Sequence, residues 1–427
     1  MTPSRHANPN GGYLDRAIVY CALATVAVII CMIKVYTASE VARAPLWGIY
    51  SVVVTAYIFS RFALAWFYRP RFPRLEAHEL PSVGIIVPAY NEEAEIGATL
   101  EACLGINYPS HLLRVAVVDD CSTDNTLDRI RAVQAIHPEL VVVASQVNRG
   151  KRHAMATGVR SVTDAEILVF IDSDSRVEPG AVRALVRYFA DPSVGAVAGH
   201  TDVLNRHTNL LTRMQAVRYY VAFRVYKSAE ALFGCVTCCS GCFSGYRRAA
   251  VDAVLEPWLN QKFLGQPSTY GDDRSLTNFL LPNWRVLYAP DAFAHTNVPE
   301  KLSVFLRQQL RWKKSWIRES LRAATFIWRK HPIMALSFYI GLALPLVSPQ
   351  IAFRAFVIQP HFINAMPVWY LCGVLAMAAL YGLYYRLHRR EGLWYHGIFF
   401  ALFYASVLIW QLPYALATIR DSKWGTR

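Results

Sequence analysis

Acidic side chains are in short supply: 30 Asp and Glu stand against 44 Lys and Arg, a formal charge of +14 over 427 residues. Basic flanks beside membrane spans and contact with anionic lipid account for such an excess, and attraction of an anionic substrate is compatible with it. Nucleic-acid binding is disfavoured, because no basic run is interleaved with a known reader motif. A phosphate-cradling G-x-x-x-x-G-K-[ST] loop is missing, which argues against a P-loop nucleotidase. Nine cysteines are present, yet no disulfide framework is implied, since most of the chain reads as cytoplasmic and thiols stay reduced there. The one cluster, Cys235, Cys238, Cys239 and Cys242, lacks the two separated knuckles common in structural zinc sites. Nor is there a small-residue cleavage site after the first apolar segment, which ends Cys31-Met32-Ile33-Lys34 and is followed by a second apolar segment.

What is abundant is apolar sequence, 54% of the chain. Ala17 to Ile33 and Leu46 to Phe67 each approach the roughly 20 residues that a membrane span needs. Three more apolar blocks follow Lys330: Ile333 to Ile358, Val368 to Tyr385, and Ile398 to Thr418, the last broken by Pro413. Arg5 and Arg16 precede the first span, and Arg69, Arg71 and Arg74 follow the second. The connector carries Lys34 and Arg43 against Glu40, so the flanks, and everything from Arg69 to about Lys330, read as cytoplasmic. The run Arg386, His388, Arg389, Arg390 favours a cytoplasmic loop after the second late block, which makes the last block a re-entrant candidate. The expected division is a transmembrane hairpin over 1–70, a cytoplasmic domain over 71–330 and a C-terminal membrane region over 331–427, in an integral plasma membrane protein that contacts membrane lipids.

Ser82 to Val87 and Arg114 to Val118 are short apolar runs closed by Pro88 and Asp119, with a helical stretch over Glu92 to Leu104 between them. Strand, helix, strand at this length is a βαβ unit. Leu140 to Ala144 and Glu166 to Ile171 supply further strands, with helical stretches near His153 to Val159 and Gly180 to Phe189. The fold class is therefore α/β, a doubly wound and mostly parallel sheet embedded between N- and C-terminal transmembrane helices. Ligands of such sheets bind beyond the carboxyl ends of the strands, where the polar clusters fall: Tyr90-Asn91-Glu92, Asp119-Asp120, and Asp172-Ser173-Asp174. A single Asp at a strand end is commonly a helix cap, but three clusters at comparable positions are harder to treat as caps. Asp-x-Asp offers hard oxygens to Mg²⁺ or Mn²⁺, and Mg²⁺ is usually held by one or two carboxylates together with substrate phosphates.

Downstream, Tyr270-Gly271-Asp272-Asp273-Arg274 sets a carboxylate pair ahead of Gln308-Gln309-Leu310-Arg311-Trp312, a pattern suited to a base and a leaving-group clamp. If Ser303 to Lys330 is helical, Gln308, Arg311 and Trp312 share one face. This stretch and Asn205 to Lys227 alternate apolar, basic and aromatic residues, suiting helices in the membrane interface or ordinary amphipathic helices packed on the domain.

Asp119-Asp120, Asp172-Ser173-Asp174, Gly271-Asp272-Asp273 and Gln308-x-x-Arg311-Trp312 together resemble the processive membrane family of inverting glycosyltransferases, which includes cellulose, chitin and hyaluronan synthases. Gly271 to Asn278, Gln308 to Glu319 and the terminal Trp424-Gly425-Thr426-Arg427 are most similar to the hyaluronan synthases. One departure is Cys242 and Phe243, where that pattern has Pro and Leu, which bears on acceptor handling. The resemblance implies a nucleotide-sugar-binding domain acting on UDP-GlcNAc and UDP-GlcA with a growing polysaccharide as acceptor. It implies that Tyr90 stacks on uracil, Asp120 hydrogen-bonds it with Lys151 nearby, and Asp172 contacts ribose or, with Asp174, metal. It further implies Asp273 as general base, Gln308 and Arg311 on the diphosphate, and Cys239, Ser240 and Trp312 at the acceptor. Trp424 and Arg427 would close over the nucleotide. Within this class the other reading is a chitin-oligosaccharide or poly-N-acetylglucosamine synthase, separated by dependence on glucuronate. A transporter or receptor with a nucleotide-sensing domain would have no need of Asp273 beside a metal pair and clamp.

Overall fold

The computed structural model describes residues 9–38, 45–70, 72, 75–389 and 391–421. Its centre is one eight-stranded sheet, in the order β3-β2-β1-β4-β7-β6-β10-β5. The strands are β1 (Val83–Ala89), β2 (Leu113–Asp119), β3 (Val141–Ala144), β4 (Ile167–Phe170), β5 (Ser175–Val177), β6 (Val194–Val203), β7 (Ser244–Arg247) and β10 (Arg285–Thr296). A separate small hairpin pairs β8 (Lys262–Phe263) with β9 (Gln266–Pro267). Strands β3, β2, β1 and β4 run parallel, as do β6 and β10, while β7 lies antiparallel between the two groups.

Every residue of β1 is buried, as expected of a strand covered on both faces. Its side chains alternate across the sheet: Val83, Ile85 and Val87 enter one core and Ile86 the other. The Lys151–Ser161 helix presses close, because a Cβ on Gly158 would stand 2.3 Å from Ile86 and one on Gly84 2.6 Å from Val162. The helix expected from Glu92 begins instead at Ile96. Thr126 Oγ1 takes the Glu92 N–H at 2.7 Å and Asp124 the Glu93 N–H at 3.3 Å, so these residues form a polar turn across the β1 and β2 ends.

Among the described residues four helices are long and apolar enough to cross a membrane: Asp15–Val35, Pro45–Phe67, Pro332–Phe362 and Val368–His388. A fifth, broken element joins His396–Ser406 to Leu408–Ala417 with a 44° bend; the break falls at Val407 and not at Pro413, which lies within the Gln411–Ala417 helix. The Leu210–Val221 and Leu302–Ala324 helices lie between these and the sheet, Ile317 packing with Leu412 and Ala415, and Tyr220 with Tyr385. Ion pairs add to the junction: Arg389 bonds Asp202, Arg206 bonds Glu391 at 3.1 Å, and Arg386 bonds Asp15 at 2.8 Å.

His200 sits at this junction, buried, with Tyr288 Oη at 2.6 Å and Asp202 at 3.1 Å. Burial, helped by Arg224 and Arg389 against the opposing pull of Asp202, drives its pKa down to about 4. Unfolded chains then bind a proton that folded chains refuse between about pH 6.5 and 4, so stability falls as pH falls through that window, by at most about 1.4 kcal/mol per pH unit from this group. His200→Gln should be the less stable protein at pH 7 by roughly 1–3 kcal/mol. The gap, measured by denaturation in detergent, should narrow toward pH 5, and a gap that is constant or widens rejects the buried neutral imidazole.

Candidate active site

Parallel pairing brings the carboxyl ends of β1, β2 and β4 to one edge, with Ala89 opposite Asp119 and Ile86 opposite Phe170. Asp120, just past β2, accepts the N–H groups of Arg149 at 3.1 Å and Gly150 at 2.7 Å. It thereby fixes the loop that opens the Lys151–Ser161 helix, and burial raises its carboxyl pKa despite those two bonds. Lys151, first residue of that helix, reaches Asp172 beyond β4 in an ion pair. Burial alone would lower the Lys151 pKa, but Asp172 overrides it and holds the ammonium above its ordinary value. Asp174 is pushed up to about 6, by burial first and the Asp172 charge second, with Lys151 and the Thr296 hydroxyl at 3.3 Å opposing.

The second half of the site is carried by two helices. Gly271 caps the Asp272–Leu280 helix at φ +74°, in the left-handed region that favours glycine, and a Cβ there would meet Ser315 Oγ at 1.9 Å. Asp272 is buried and bonded to Arg152 at 3.0 Å, so it is spent on structure. Asp273 faces the cavity, with Oδ1 accepting the Arg274 N–H at 2.7 Å and Oδ2 3.7 Å from the Cys238 thiol. From the Leu302–Ala324 helix come Gln308, Arg311 and Trp312, on one face as their spacing predicts. Burial pulls the Arg311 pKa below its ordinary value, against Asp272, Asp273 and Asp172. Trp312 stays 42% exposed, with its ring 6.3 Å from Tyr219.

One cavity of about 1800 Å³ takes in Tyr90, Asp120, Lys151, Asp172, Asp174, Ser240, Asp273, Gln308, Arg311 and Trp312. Cys239 is the exception. Its side chain is fully buried in a core cluster and its N–H bonds Thr277 Oγ1 at 2.9 Å, so it is the neighbouring Cys238 and Ser240 that face the cavity. Trp424 and Arg427 lie outside the described residues. Asp421, the last described residue, lies beside the site, bonded by the Tyr270 hydroxyl at 3.4 Å and Lys314 at 3.3 Å. Arg152, Gln261, Cys238 and Glu319 support or border Asp273; the sequence shows Arg152 among the cations beside Lys151 and Cys238 only as part of the cysteine cluster, and gives no local signal for a role of Gln261 or Glu319.

A divalent ion fits the residues present. Asp172 and Asp174 put two carboxylates on the same cavity, and the Asp172 charge adds to the burial that raises the Asp174 pKa, a repulsion that a cation would relieve. Among the described residues no group of three or more His, Cys, Asp or Glu could hold a metal by itself, so other oxygens would have to complete the coordination.

The tight cap at Gly271 gives a test. Gly271→Ala must displace the Ser315 contact and hence Asp273, and a misplacement near 1 Å costs roughly 10²-fold in rate. Turnover should fall on that scale. Full activity in the alanine variant would show that the cap does not set the position of Asp273.

The chain matches the family model described as "Glycosyltransferase like family 2" over residues 81–315. It is 32% identical to a hyaluronan synthase of Streptococcus pyogenes over 388 residues, covering 89% of this chain and 90% of that protein. It is also 32% identical to an N-acetylglucosaminyltransferase of Rhizobium meliloti over 398 residues, with the same shares covered. Among solved structures, a mannosyltransferase from Pyrobaculum calidifontis in complex with GDP-Man and Mn²⁺ superposes with a TM-score of 0.58 at 23% identity, covering 84% of this chain and 98% of that one, a likeness of fold. With the matched segment holding the sheet, the strand-end carboxylates and Asp273, this protein belongs to the family 2-like glycosyltransferases, and is a hexosyltransferase similar to the hyaluronan synthases.

Proposed function

We propose that the protein polymerises UDP-GlcNAc and UDP-GlcA into hyaluronan by inverting single displacement and passes the growing chain outward. The observation that carries this reading is the shared cavity, in which the strand-end carboxylates, Asp273 and the Arg311 helix open onto a lining supplied by the span-length helices. A transferase releasing a small soluble product has no use for that extension. The similarity to hyaluronan synthases supports the choice of sugars.

In this reading Tyr90 stacks on uracil, Asp120 holds the loop around it, and Asp172 meets the ribose. Asp273 takes the proton of the acceptor hydroxyl, which attacks the anomeric carbon on the face opposite UDP, so that an α-linked donor gives a β-linked product. Gln308 and Arg311 meet the charge of the departing diphosphate, in a partly desolvated setting where such contacts weigh most. Asp172 and Asp174 would hold Mg²⁺ or Mn²⁺, which when bound supplies further neutralisation of the diphosphate. Trp312, Cys238 and Ser240 border the acceptor, and Trp424 and Arg427 are assigned to nucleotide binding. The domain over 71–330 faces the cytoplasm, with 1–70 and 331–427 in the plasma membrane.

Membranes holding the protein, given both donors and Mg²⁺ or Mn²⁺, should release UDP and form a polymer cleaved by a hyaluronan-specific lyase. Full UDP release from UDP-GlcNAc alone, with a lyase-resistant product, would overturn this in favour of an N-acetylglucosamine oligomer, the reading that the similarity to N-acetylglucosaminyltransferases favours. Asp273→Asn keeps shape but loses the base and should cost roughly 10²- to 10⁴-fold in rate, with UDP affinity retained; a matching loss of UDP affinity would count against the base assignment. Asp174→Ala should remove the metal-dependent part of UDP binding, and identical titrations of variant and wild type with and without metal would sink that role.

A further inference from the structure

One corner of the cavity, beside Asp273, gathers charge that the base and the diphosphate clamp do not account for. Lys227, Glu230, Cys238, Asp273 and Arg274 all line it. The Lys227 ammonium donates to the Cys238 carbonyl and stands 4.7 Å from the centre of the Phe223 ring. Glu230 accepts the Thr237 N–H at 2.9 Å and the Thr237 hydroxyl at 3.1 Å, so Lys227 and Glu230 together pin the loop that carries Cys238. The Cys238 thiol lies 3.7 Å from Asp273, and Arg274 follows Asp273 on the Asp272–Leu280 helix. Burial alone would lower the Arg274 pKa, but Cys238, Asp273, Glu230 and Glu319 override it and keep the guanidinium charged.

This corner lies where the catalytic half of the cavity meets the span-length helices. Lys227 closes a π-helical stretch, Ala222–Lys227, that continues the Leu210–Val221 helix, and π turns inside helices are frequent at functional sites. The preceding residue, Tyr226, shares a hydrogen bond at 2.6 Å with Tyr381 of the Val368–His388 helix.

Charge balance gives the corner a use. Lys227 and Arg274 offset Glu230 and Asp273 while the base is ionised; once Asp273 takes the acceptor proton, one positive charge is left in excess. An anionic acceptor restores the balance at that moment, so its attraction is strongest in the transition state. Hyaluronan presents such an acceptor on alternate transfers. When the growing end is glucuronate, the 4-hydroxyl reacts and the carboxylate sits on the adjacent ring carbon, close to the base, where without a counter-charge it would repel Asp273. When the end is N-acetylglucosamine, the 3-hydroxyl reacts and that ring carries no carboxylate.

Resting on the reading of the previous section, we infer that Lys227 and Arg274 form a carboxylate-binding subsite for a uronate at the acceptor end. Their charge-assisted hydrogen bonds serve one of the two alternating transfers and set it apart from the other.

The test uses the full-length protein in membrane vesicles, with its own nascent polymer as acceptor. After synthesis from UDP-GlcNAc, UDP-GlcA and Mn²⁺, the donors are washed out and one is returned alone, so that all chains end in the same sugar; transfer from the other, labelled donor is then timed. Lys227→Gln and Arg274→Gln should each lower the rate onto glucuronate ends relative to the rate onto N-acetylglucosamine ends by roughly tenfold, the scale of one charge-assisted bond. Lys227→Arg and Arg274→Lys, which keep the charge, should hold that ratio near the wild-type value. UDP affinity shows which variants are folded, and with two independent positions the ratio is read on those that bind. Equal slowing of both transfers in the glutamine variants would make these residues structural and overturn the subsite, as would an equal fall of the ratio in the charge-keeping variants. If wild type consumes no UDP-GlcA, the proposed function fails and the subsite with it; if wild type alternates both sugars and the glutamine variants keep its ratio, the subsite alone fails.

Discussion

A buried polar network fastens the helix of Asp273 to the helix of Gln308, Arg311 and Trp312, and the geometry of the site depends on it. Arg152 bonds Asp272 at 3.0 Å, Arg318 bonds Glu319 at 2.7 Å, and the Arg318 guanidinium also donates to the Tyr270 carbonyl. Gln261 joins the two helices, donating to Glu319 at 3.0 Å while accepting from Ser275 at 2.5 Å, and Asn278 donates to the Glu319 carbonyl at 3.0 Å. Such burial is a poor source of net stability, since apolar residues of like volume often do as well. Its effect here is positional: sliding either helix by a turn would strand a buried charge, at roughly 3–5 kcal/mol. Because Arg152 directly follows Lys151, the same network holds the strand-end carboxylates in register with Asp273.

A second set of contacts joins this machinery to the span-length helices. The Tyr68 hydroxyl donates to the Tyr288 carbonyl on β10 at 2.5 Å, Tyr226 and Tyr381 share a hydrogen bond at 2.6 Å, and Arg389 bonds Asp202 at the end of β6. Polar pairs at the ends of apolar helices specify depth and rotation, which apolar packing alone leaves loosely determined. The cavity inherits its definition from both sides of this junction.

The parts of this arrangement that a sequence can express locally were legible. Strands β1, β2 and β4 are continuous apolar runs ending in polar clusters, and the spans announce themselves by length and composition. Strand β6 was not, because Gly195, Gly199, His200 and Asp202 break the apolar pattern; His200 and Asp202 are buried against partners on β10 and at Arg389 that lie far away in sequence. Asp272 and Asp273 look equivalent as neighbours, yet a partner 120 residues away, Arg152, engages the carboxylate of Asp272 in a buried pair and, among the described residues, leaves Asp273 without one. Cys239 fails for a related reason: in a loop of alternating exposure, a one-residue shift decides whether a thiol meets the cavity or the core, and the Thr277 hydroxyl that fixes this lies on another helix.

The distribution of charge follows from these constraints. Near the strand ends, cations and carboxylates are set in opposition, Lys151 with Asp172 and Arg152 with Asp272, so the polar half of the cavity is held by its own pairs before any ligand arrives. The membrane half lacks backbone groups free to do the same, because helices consume their own hydrogen bonds, and its lining from the span-length helices is aromatic, aliphatic and small. In the proposed reading, a growing chain therefore leaves a region where polar groups fix each sugar for chemistry and enters one where ring faces bear on it with little orientation preference. That asymmetry lets a product move one unit without the site that made it having to loosen.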